Sequence, residues 1–338
     1  MTTVCAPVSR LQPQKRDLNL LCFLYQSRFL TLKHAADLCF EGKLEAAKKR
    51  IQKLKLAKLI ASRHQRVHEP GIVFLTEEGL RLLRSDCALC QLPNMPRNTV
   101  RTRLPPSGLA LNHDLQVLDV KAAFYRAVRN NAGVAINEFS TLPDLHKFKA
   151  LRVGQMRQLV CVKPDGFMRL SNAPAAQAPM EHIFFIELDR STETQETLAL
   201  RLGSYLEYYK SGRFAARNGA SATEYRVHPF RVLIVFKTAE RRNNTAARLL
   251  ELNPPVLTQA WLSTFDEVTN DPLGKVWLRP IDYLVAVKGT EFEPGTRRGQ
   301  SGYRRQNERE ILVEQTVKKS AILCSQIQST IRLAGNAQ

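Results

Sequence analysis

The fold of this chain is decided by the sequence His182-Ile183-Phe184-Phe185-Ile186-Glu187-Leu188-Asp189-Arg190. Its apolar run is too short for a globular helix and is rich in strand-forming residues, so it predicts a β-strand. Side chains alternate between the two faces of a strand, which places Glu187 and Asp189 on the same face. Two carboxylates at the polar end of a buried strand repel each other unless a cation or a proton lies between them.

A third carboxylate precedes this strand in Lys163-Pro164-Asp165-Gly166. Asp165 falls in the predicted turn between the strands 159–162 and 167–170, and it meets the other two acids if those strands pair with the carboxylate strand. Three convergent carboxylates are suited to a hard cation, Mg²⁺ or Mn²⁺. The alternative is that these acids face water at a strand end or belong to a network of ion pairs.

The order Pro164-Asp165 followed by Glu187-x-Asp189 resembles the PD-(D/E)xK nuclease core. The resemblance implies that Asp165 and Glu187 hold the metal ion and that a basic residue assists the attacking water; Asp189 is the third candidate ligand, because it lies on the same face as Glu187. In that core the last position is a lysine, whereas this chain has Asp189 there. Arg190 is then the nearest basic candidate, and Arg201 and Lys210 are further ones. The implied catalytic set is Asp165, Glu187, Asp189 and Arg190.

The charge balance is the outstanding property of the composition. There are 50 Lys and Arg residues against 31 Asp and Glu, a net charge of +19, and the first 110 residues carry more than half of the excess. Such a balance favours a polyanionic partner, either nucleic acid or an anionic membrane surface. No apolar run approaches the roughly 20 residues of a membrane span, and the N-terminus lacks a signal-peptide core. The seven cysteines are scattered, which fits a reducing cytoplasm; Cys87-x-x-Cys90 has no second pair at zinc-ligand spacing.

The first third of the chain predicts three helices. Asp17 and Thr31 are candidate N-caps for the first two. In the third, Leu44, Ala47 and Ile51 follow helical spacing. The remaining positions of this helix and its C-terminal end are strongly basic, with Lys43, Lys48, Lys49, Arg50, Lys53, Lys55 and Lys58.

A strand at residues 59–60, a polar tip at 65–71, a return strand at 72–75 and a helix capped by Thr76 follow. Three helices, a two-stranded wing and a final helix resemble a winged helix-turn-helix domain. The resemblance implies that the third helix enters the major groove and that the wing touches the DNA backbone. The expected DNA contacts are Lys43, Lys48, Lys49, Arg50, Gln52, Lys53, Lys55, Lys58, Arg63 and Arg66, with Arg50, Gln52 and Lys53 at base edges. The alternative is a protein-interaction domain of the same fold with a solvated basic helix.

The whole chain is therefore expected to be α/β, with a winged helix-turn-helix domain followed by a restriction-endonuclease-like α/β domain. The predicted divisions are a winged helix at 14–84, a basic Pro-containing linker at 85–110 and a nuclease-like domain at 111–288. A basic segment with a C-terminal helix follows at 289–338, and that helix either docks on the second domain or pairs with a second copy in a homodimer.

Four features occur together in one order in this sequence. They are the basic winged helix, Lys163-Pro164-Asp165-Gly166, Phe185–Glu193 with a Tyr-rich helix after it, and Asp271-Pro272-Leu273-Gly274 followed by Val276-Trp277-Leu278-Arg279-Pro280. Together they resemble the replication-relaxation family of plasmid and integrative-element proteins over most of residues 15–285. The resemblance implies duplex DNA and replication or mobilisation proteins as partners, and it does not by itself imply catalysis.

Three functions compete at this point. The first is a duplex DNA-binding protein of a mobile genetic element that acts in plasmid replication, relaxation or mobilisation. The second is a Mg²⁺-dependent DNA endonuclease or nickase whose metal-bound water attacks a phosphodiester. The third is a winged-helix transcriptional regulator whose second domain dimerises. We favour the first, because the expected lysine is missing from the acidic set and charge stabilisation in the transition state supplies several kcal/mol.

Overall fold

The computed structural model describes residues 12–63, 69–86, 109–152, 158–172, 180–191, 193–283 and 310–311. Arg66, most of the predicted linker and nearly all of the C-terminal segment lie outside these ranges. The described residues form a mixed α/β protein, as the sequence predicts. The chain divides into two compact units, the first comprising residues 1–122 and 140–145 and the second residues 123–139 and 146–338.

The first unit begins with the helices and the hairpin that the sequence predicts, and these elements are confirmed. They are α1 (Lys15–Gln26), β1 (Leu30–Thr31), α2 (Leu32–Cys39), α3 (Leu44–Leu56), β2 (Ile60–Ser62), β3 (Ile72–Leu75) and α4 (Glu77–Ser85). β3 lies between β1 and β2 and is antiparallel to both. The short strand β1 was not predicted, because two residues are too few to show a period.

The helix caps of this unit follow local side-chain chemistry. The Thr31 and Thr76 side chains accept hydrogen bonds from the backbone N–H groups of His34 and Gly79, as predicted for N-caps. The prediction for Asp17 is wrong: the N-cap of α1 is Gln14, three residues earlier. Asp17 lies in the first turn, where its carboxylate accepts from the Gln14 backbone N–H at 2.7 Å.

The turn from α3 into β2 uses a left-handed backbone. Lys58 has a φ of +59°, which costs about 1 kcal/mol for a residue with a side chain. The Thr76 hydroxyl donates to the carbonyl of Lys58 at 2.7 Å and holds this turn against the start of α4. Gly79 is required there, since a Cβ atom on it would lie 2.2 Å from the Leu59 carbonyl oxygen.

The chain continues through a further series of helices and strands. They are α5 (Leu109–Arg129), β4 (Val134–Ser140), α6 (Pro143–His146), β5 (Phe148–Leu151), β6 (Leu159–Val162), β7 (Gly166–Asn172), β8 (Met180–Asp189), α7 (Gln195–Lys210), α8 (Arg213–Arg217), a 3-10 helix (Ala222–Val227), β9 (Phe230–Phe236), α9 (Ala239–Glu251), β10 (Ala260–Thr264), α10 (Phe265–Asn270), β11 (Lys275–Trp277) and β12 (Glu310–Ile311).

The second unit is organised on a five-stranded sheet in the order β10-β9-β8-β7-β4. β8, the predicted carboxylate strand, is central; it is antiparallel to β7 and parallel to β9. Of the two strands predicted to flank Asp165, only β7 pairs with β8, with Gly166 opposite Ile186. β6 pairs with β5 in a separate hairpin, so only one of the two flanking strands joins the carboxylate strand.

Aromatic rings fill the core beside β8. Phe185 has ring-centroid distances of 4.9 Å to Phe230, 5.2 Å to Phe167, 5.4 Å to Tyr205 and 5.5 Å to Phe148. Close edge-to-face and tilted rings of this kind add to the free energy gained from burial. These contacts fix the position of α7 over β8, and α7 carries the side chains that reach the acidic end of the strand.

Two local features complete this unit. The N-cap of α7 is Thr194, whose side chain accepts from the Thr197 backbone N–H. Residues 310–311, which lie in the segment predicted to carry the C-terminal helix, form β12 and pair with β11. The backbone groups of a short segment can be satisfied by an available strand edge as well as by a helix, and periodicity does not distinguish the two.

Candidate functional site

The helix α3 presents a basic surface. Its apolar residues Ala47, Ile51 and Leu54 are buried, which turns the opposite side toward solvent, with exposed side chains at Lys48, Lys49, Gln52 and Lys53. We call Lys48, Lys49 and Lys53 the α3 lysines. Within the described ranges none of the three forms an ion pair with a carboxylate.

The flanking predicted DNA contacts differ in how exposed they are. Lys43 is exposed and is paired with Glu41 at 2.8 Å. Lys58 is exposed and Lys55 is half-buried. On the hairpin, Arg63 is half-buried and forms an ion pair with Glu69, and Arg66 lies outside the described residues.

Arg50, predicted to reach a base edge, is also paired within the fold. Its guanidinium forms a two-pronged ion pair with Asp17, with Nε 2.6 Å from Oδ1. The Asp17 side chain is fully buried, whereas that of Arg50 is 16% exposed. A buried carboxylate without this partner is strongly unfavourable, so Arg50 fixes α3 to α1. Its contact with a base edge stays a prediction.

The acidic end of β8 is the second candidate site. Glu187 is buried, with a side-chain exposure of 2%. Its Oε2 atom lies 3.2 Å from Nη1 of Arg201, and its Oε1 atom accepts a hydrogen bond from the Tyr205 hydroxyl. Both partners come from α7, one turn apart. Arg201 also binds Glu193, so one guanidinium is shared by two carboxylates.

Asp189 is paired with a different helix. Arg241 of α9 donates from Nε to Oδ2 and from Nη2 to Oδ1, the latter at 3.0 Å. The same Nη2 group also donates to the Glu193 carbonyl. The Asp189 side chain is 4% exposed, and its Oδ1 atom accepts from the Ser191 backbone N–H at 3.2 Å.

Asp165 lies beside these groups, as the sequence predicts, because β7 starts directly after it. Its Oδ2 atom accepts from the Leu188 backbone N–H at 2.8 Å. Burial first, and then the charge of Asp165, raise the pKa of Glu187 to about 7, while Arg201 and Tyr205 act in the opposite direction. Arg190 follows β8 and is half-buried; the basic groups shown in contact with these acids are Arg201 and Arg241.

The predicted metal site does not fit this geometry. Among the residues that the structure describes, no group of three or more His, Cys, Asp or Glu side chains is arranged to hold a metal ion. Asp189 is occupied by Arg241, and Glu187 is occupied by Arg201 and Tyr205. The proposed ligand set of Asp165, Glu187 and Asp189 is therefore not assembled, because arginines take the position of the cation.

Sequence reasoning included Arg201 among the basic candidates and missed Arg241. A signal for Arg241 was present. Arg241 and Arg242 lie in the first turn of α9, where the helix dipole disfavours cations. Two arginines there indicate specific acidic partners, and the structure supplies Asp189 for the first and Glu267 for the second.

The chain is thus a mixed α/β protein. Its first unit carries an exposed basic helix, and its second unit carries a strand end whose acids are paired with arginines. The family model described as replication-relaxation matches residues 21–222, which is more than half of the chain. The chain belongs to the replication-relaxation family. The comparisons with curated proteins and with solved structures gave no match. Within the described ranges, no helix has the length and the apolar character needed to cross a bilayer.

Proposed function

We propose that this protein binds duplex DNA through α3 and acts in the replication or relaxation of a plasmid or another mobile element. Family membership supports the role in replication or relaxation. The observation that carries DNA binding is the set of α3 lysines, which are exposed and have no carboxylate partner within the described ranges. Lys49 and Lys53 are one helical turn apart and repel each other, and phosphates would relieve this repulsion and release counterions.

The arrangement of the first unit supports the position of α3 on the duplex. Three helices followed by an antiparallel hairpin match what a winged helix uses to place its third helix in the major groove and its hairpin on the backbone. The α3 lysines then meet phosphates, which strengthen binding without selecting sequence. Gln52, exposed on the same side of the helix, is the residue that we assign to a base edge, together with Lys53.

For the second unit we infer a binding or scaffolding role rather than phosphodiester hydrolysis. A metal-dependent nuclease needs carboxylates that are free to coordinate and a cation placed near the scissile phosphate. Here Arg201 and Arg241 bind the acids directly. Replication or mobilisation proteins are the partners that the family role suggests for this unit.

The test of DNA binding is the triple substitution of Lys48, Lys49 and Lys53 by Glu in the full chain. We expect the variant to lose retention of duplex DNA at moderate salt in a gel-shift or filter-binding assay, because three phosphate contacts become three repulsions. The slope of log affinity against log salt for the wild type should exceed that of the variant by about 3, at roughly 0.9 for each lost contact.

The control is a triple variant with the same change in charge, Lys210→Glu, Lys237→Glu and Lys275→Glu. These lysines are exposed on the second unit, so their substitution changes the net charge equally and leaves α3 intact. We expect the control to keep nearly all of the affinity. Equal losses in the two variants would mean that net charge, rather than α3, explains binding, and unchanged binding in the first variant would refute the assignment.

A further inference from the structure

A second basic surface lies on the second unit, on the β5–β6 hairpin. In its register Lys149 is opposite Cys161 and Phe148 is opposite Val162. Phe148 and Val162 are buried, whereas Lys149 and Cys161 are exposed. The hairpin therefore has an apolar inner face and an outer face that carries positive charge.

The helix α8 adds cations beside the hairpin. The Arg213 guanidinium donates from Nη1 to the Lys149 carbonyl at 3.3 Å, and that of Arg217 donates to the Lys147 carbonyl at 3.1 Å. The buried Phe214 fixes α8 in the core. With Lys163, which is exposed just after β6, these elements gather five basic residues. We call this set the hairpin surface: Lys147, Lys149, Lys163, Arg213 and Arg217.

The balance of charge on the hairpin surface resembles that of the α3 lysines. In the described part of the chain, Lys149, Lys163 and Arg213 form no ion pair with a carboxylate. Elsewhere on this unit the exposed Arg248 is paired with acids, since it binds Glu196 and Glu251. The three cations that form no such pair within the described residues repel one another in the free protein, and a polyanion supplies counter-charges.

We propose that the hairpin surface is a second contact for the phosphate backbone of duplex DNA. The inference extends the proposed function, since it assigns a DNA contact to the second unit in addition to α3. It is a backbone contact because the nearby rings of Phe148, Tyr208 and Phe214 are buried and offer no platform on which bases could stack. Its contribution is independent of sequence and falls as salt rises.

The native Cys161 reports directly on this surface. It is exposed and lies opposite Lys149, whereas Cys22 and Cys39 in the first unit are half-buried. The full wild-type chain is treated with a maleimide with and without a duplex, and modification is measured for each peptide by mass spectrometry. We expect the duplex to slow modification of Cys161 several-fold.

A pair of variants measures the charge contribution. Lys149→Glu with Lys163→Glu should reduce the slope of log affinity against log salt by about 2, at roughly 0.9 for each phosphate contact. The matched control, Lys237→Glu with Lys275→Glu, makes the same change in charge on exposed lysines of the same unit and should leave the slope unchanged.

The outcomes separate this inference from the proposed function. A wild-type complex in which Cys161 reacts as fast as in the free protein overturns the hairpin surface and leaves the α3 proposal intact. Loss of protection in the α3 triple variant, together with loss of binding, supports both contacts. Protection that persists in that variant overturns α3 as the main contact and keeps the hairpin surface. Protection by polyglutamate but not by duplex overturns the DNA assignment.

Discussion

The α3 lysines and the arginines of α7 and α9 carry the same charge in opposite settings. Lys48, Lys49 and Lys53 are exposed and have no carboxylate partner within the described ranges. Arg201 and Arg241 each bind a carboxylate that is almost completely buried. Exposed charges contribute little to folding, whereas removal of one member of a buried pair leaves an uncompensated charge. The comparison therefore assigns the lysines to binding and the arginines to the fold.

The largest effect on stability is expected from Arg241→Ala. The substitution leaves Asp189, only 4% exposed, without its two-pronged partner, and it also removes a hydrogen bond to the Glu193 carbonyl. We expect the free energy of unfolding to fall by about 3–5 kcal/mol, measured by urea denaturation.

The double variant Arg241→Ala with Asp189→Ala controls for the loss of side-chain packing. It should be less destabilised than the sum of the two single variants, since neither charge is then left alone. Additive effects would show that the pair contributes nothing specific, and the contrast between the paired arginines and the exposed α3 lysines would be lost.

A smaller effect is expected from Arg50→Ala. Its partner Asp17 is fully buried but keeps the hydrogen bond from the Gln14 N–H, so the expected loss is about 2–4 kcal/mol. The adjacent Lys49 is an exposed control, and Lys49→Ala should change stability by no more than about 0.5 kcal/mol. If both variants were equally stable, the pair of Arg50 with Asp17 would contribute nothing to the fold.

Lys49 and Arg50 also show what could be predicted from the sequence and what could not. The apolar spacing of Leu44, Ala47 and Ile51 predicts α3, because helical periodicity is a local property. Both basic residues lie away from that stripe and look equivalent. What separates them is Asp17, 33 residues earlier in the chain, and long-range pairing of this kind leaves no local pattern.

The acidic strand end was predictable in part for the same reason. Alternation along β8 places Glu187 and Asp189 on one face, and the position of Asp165 follows from the β7–β8 pairing. Whether three acids bind a metal ion or arginines depends on α7 and α9, which pack over that face from later in the chain. The sequence therefore shows the three acids, but it does not show which cations pair with them.

Glu187 allows a test of the paired region through pH. Its pKa is raised to about 7 from the ordinary 4.5, so the native state holds this proton more tightly than the unfolded state does. The resulting stabilisation is fully present below pH 4.5 and is lost as pH rises through about 7. We expect Glu187→Gln to remove a decrease of up to about 3 kcal/mol between these limits, measured by urea denaturation across the pH range. An unchanged pH profile would place the titration on another group.

The smallest change in the free energy of unfolding is expected for the α3 lysines. The substitution of Lys48, Lys49 and Lys53 by Glu should abolish DNA binding yet change the free energy of unfolding by no more than about 1 kcal/mol, because each exposed site contributes within about 0.5 kcal/mol of either sign. Thermal and urea unfolding of the variant measure this directly. A loss of several kcal/mol would mean that the lysines also hold α3 in place, and the loss of binding could then result from unfolding. If the variant is as stable as the wild type and no longer retains DNA, the α3 lysines serve binding and not folding. The arginines paired with buried carboxylates then serve folding.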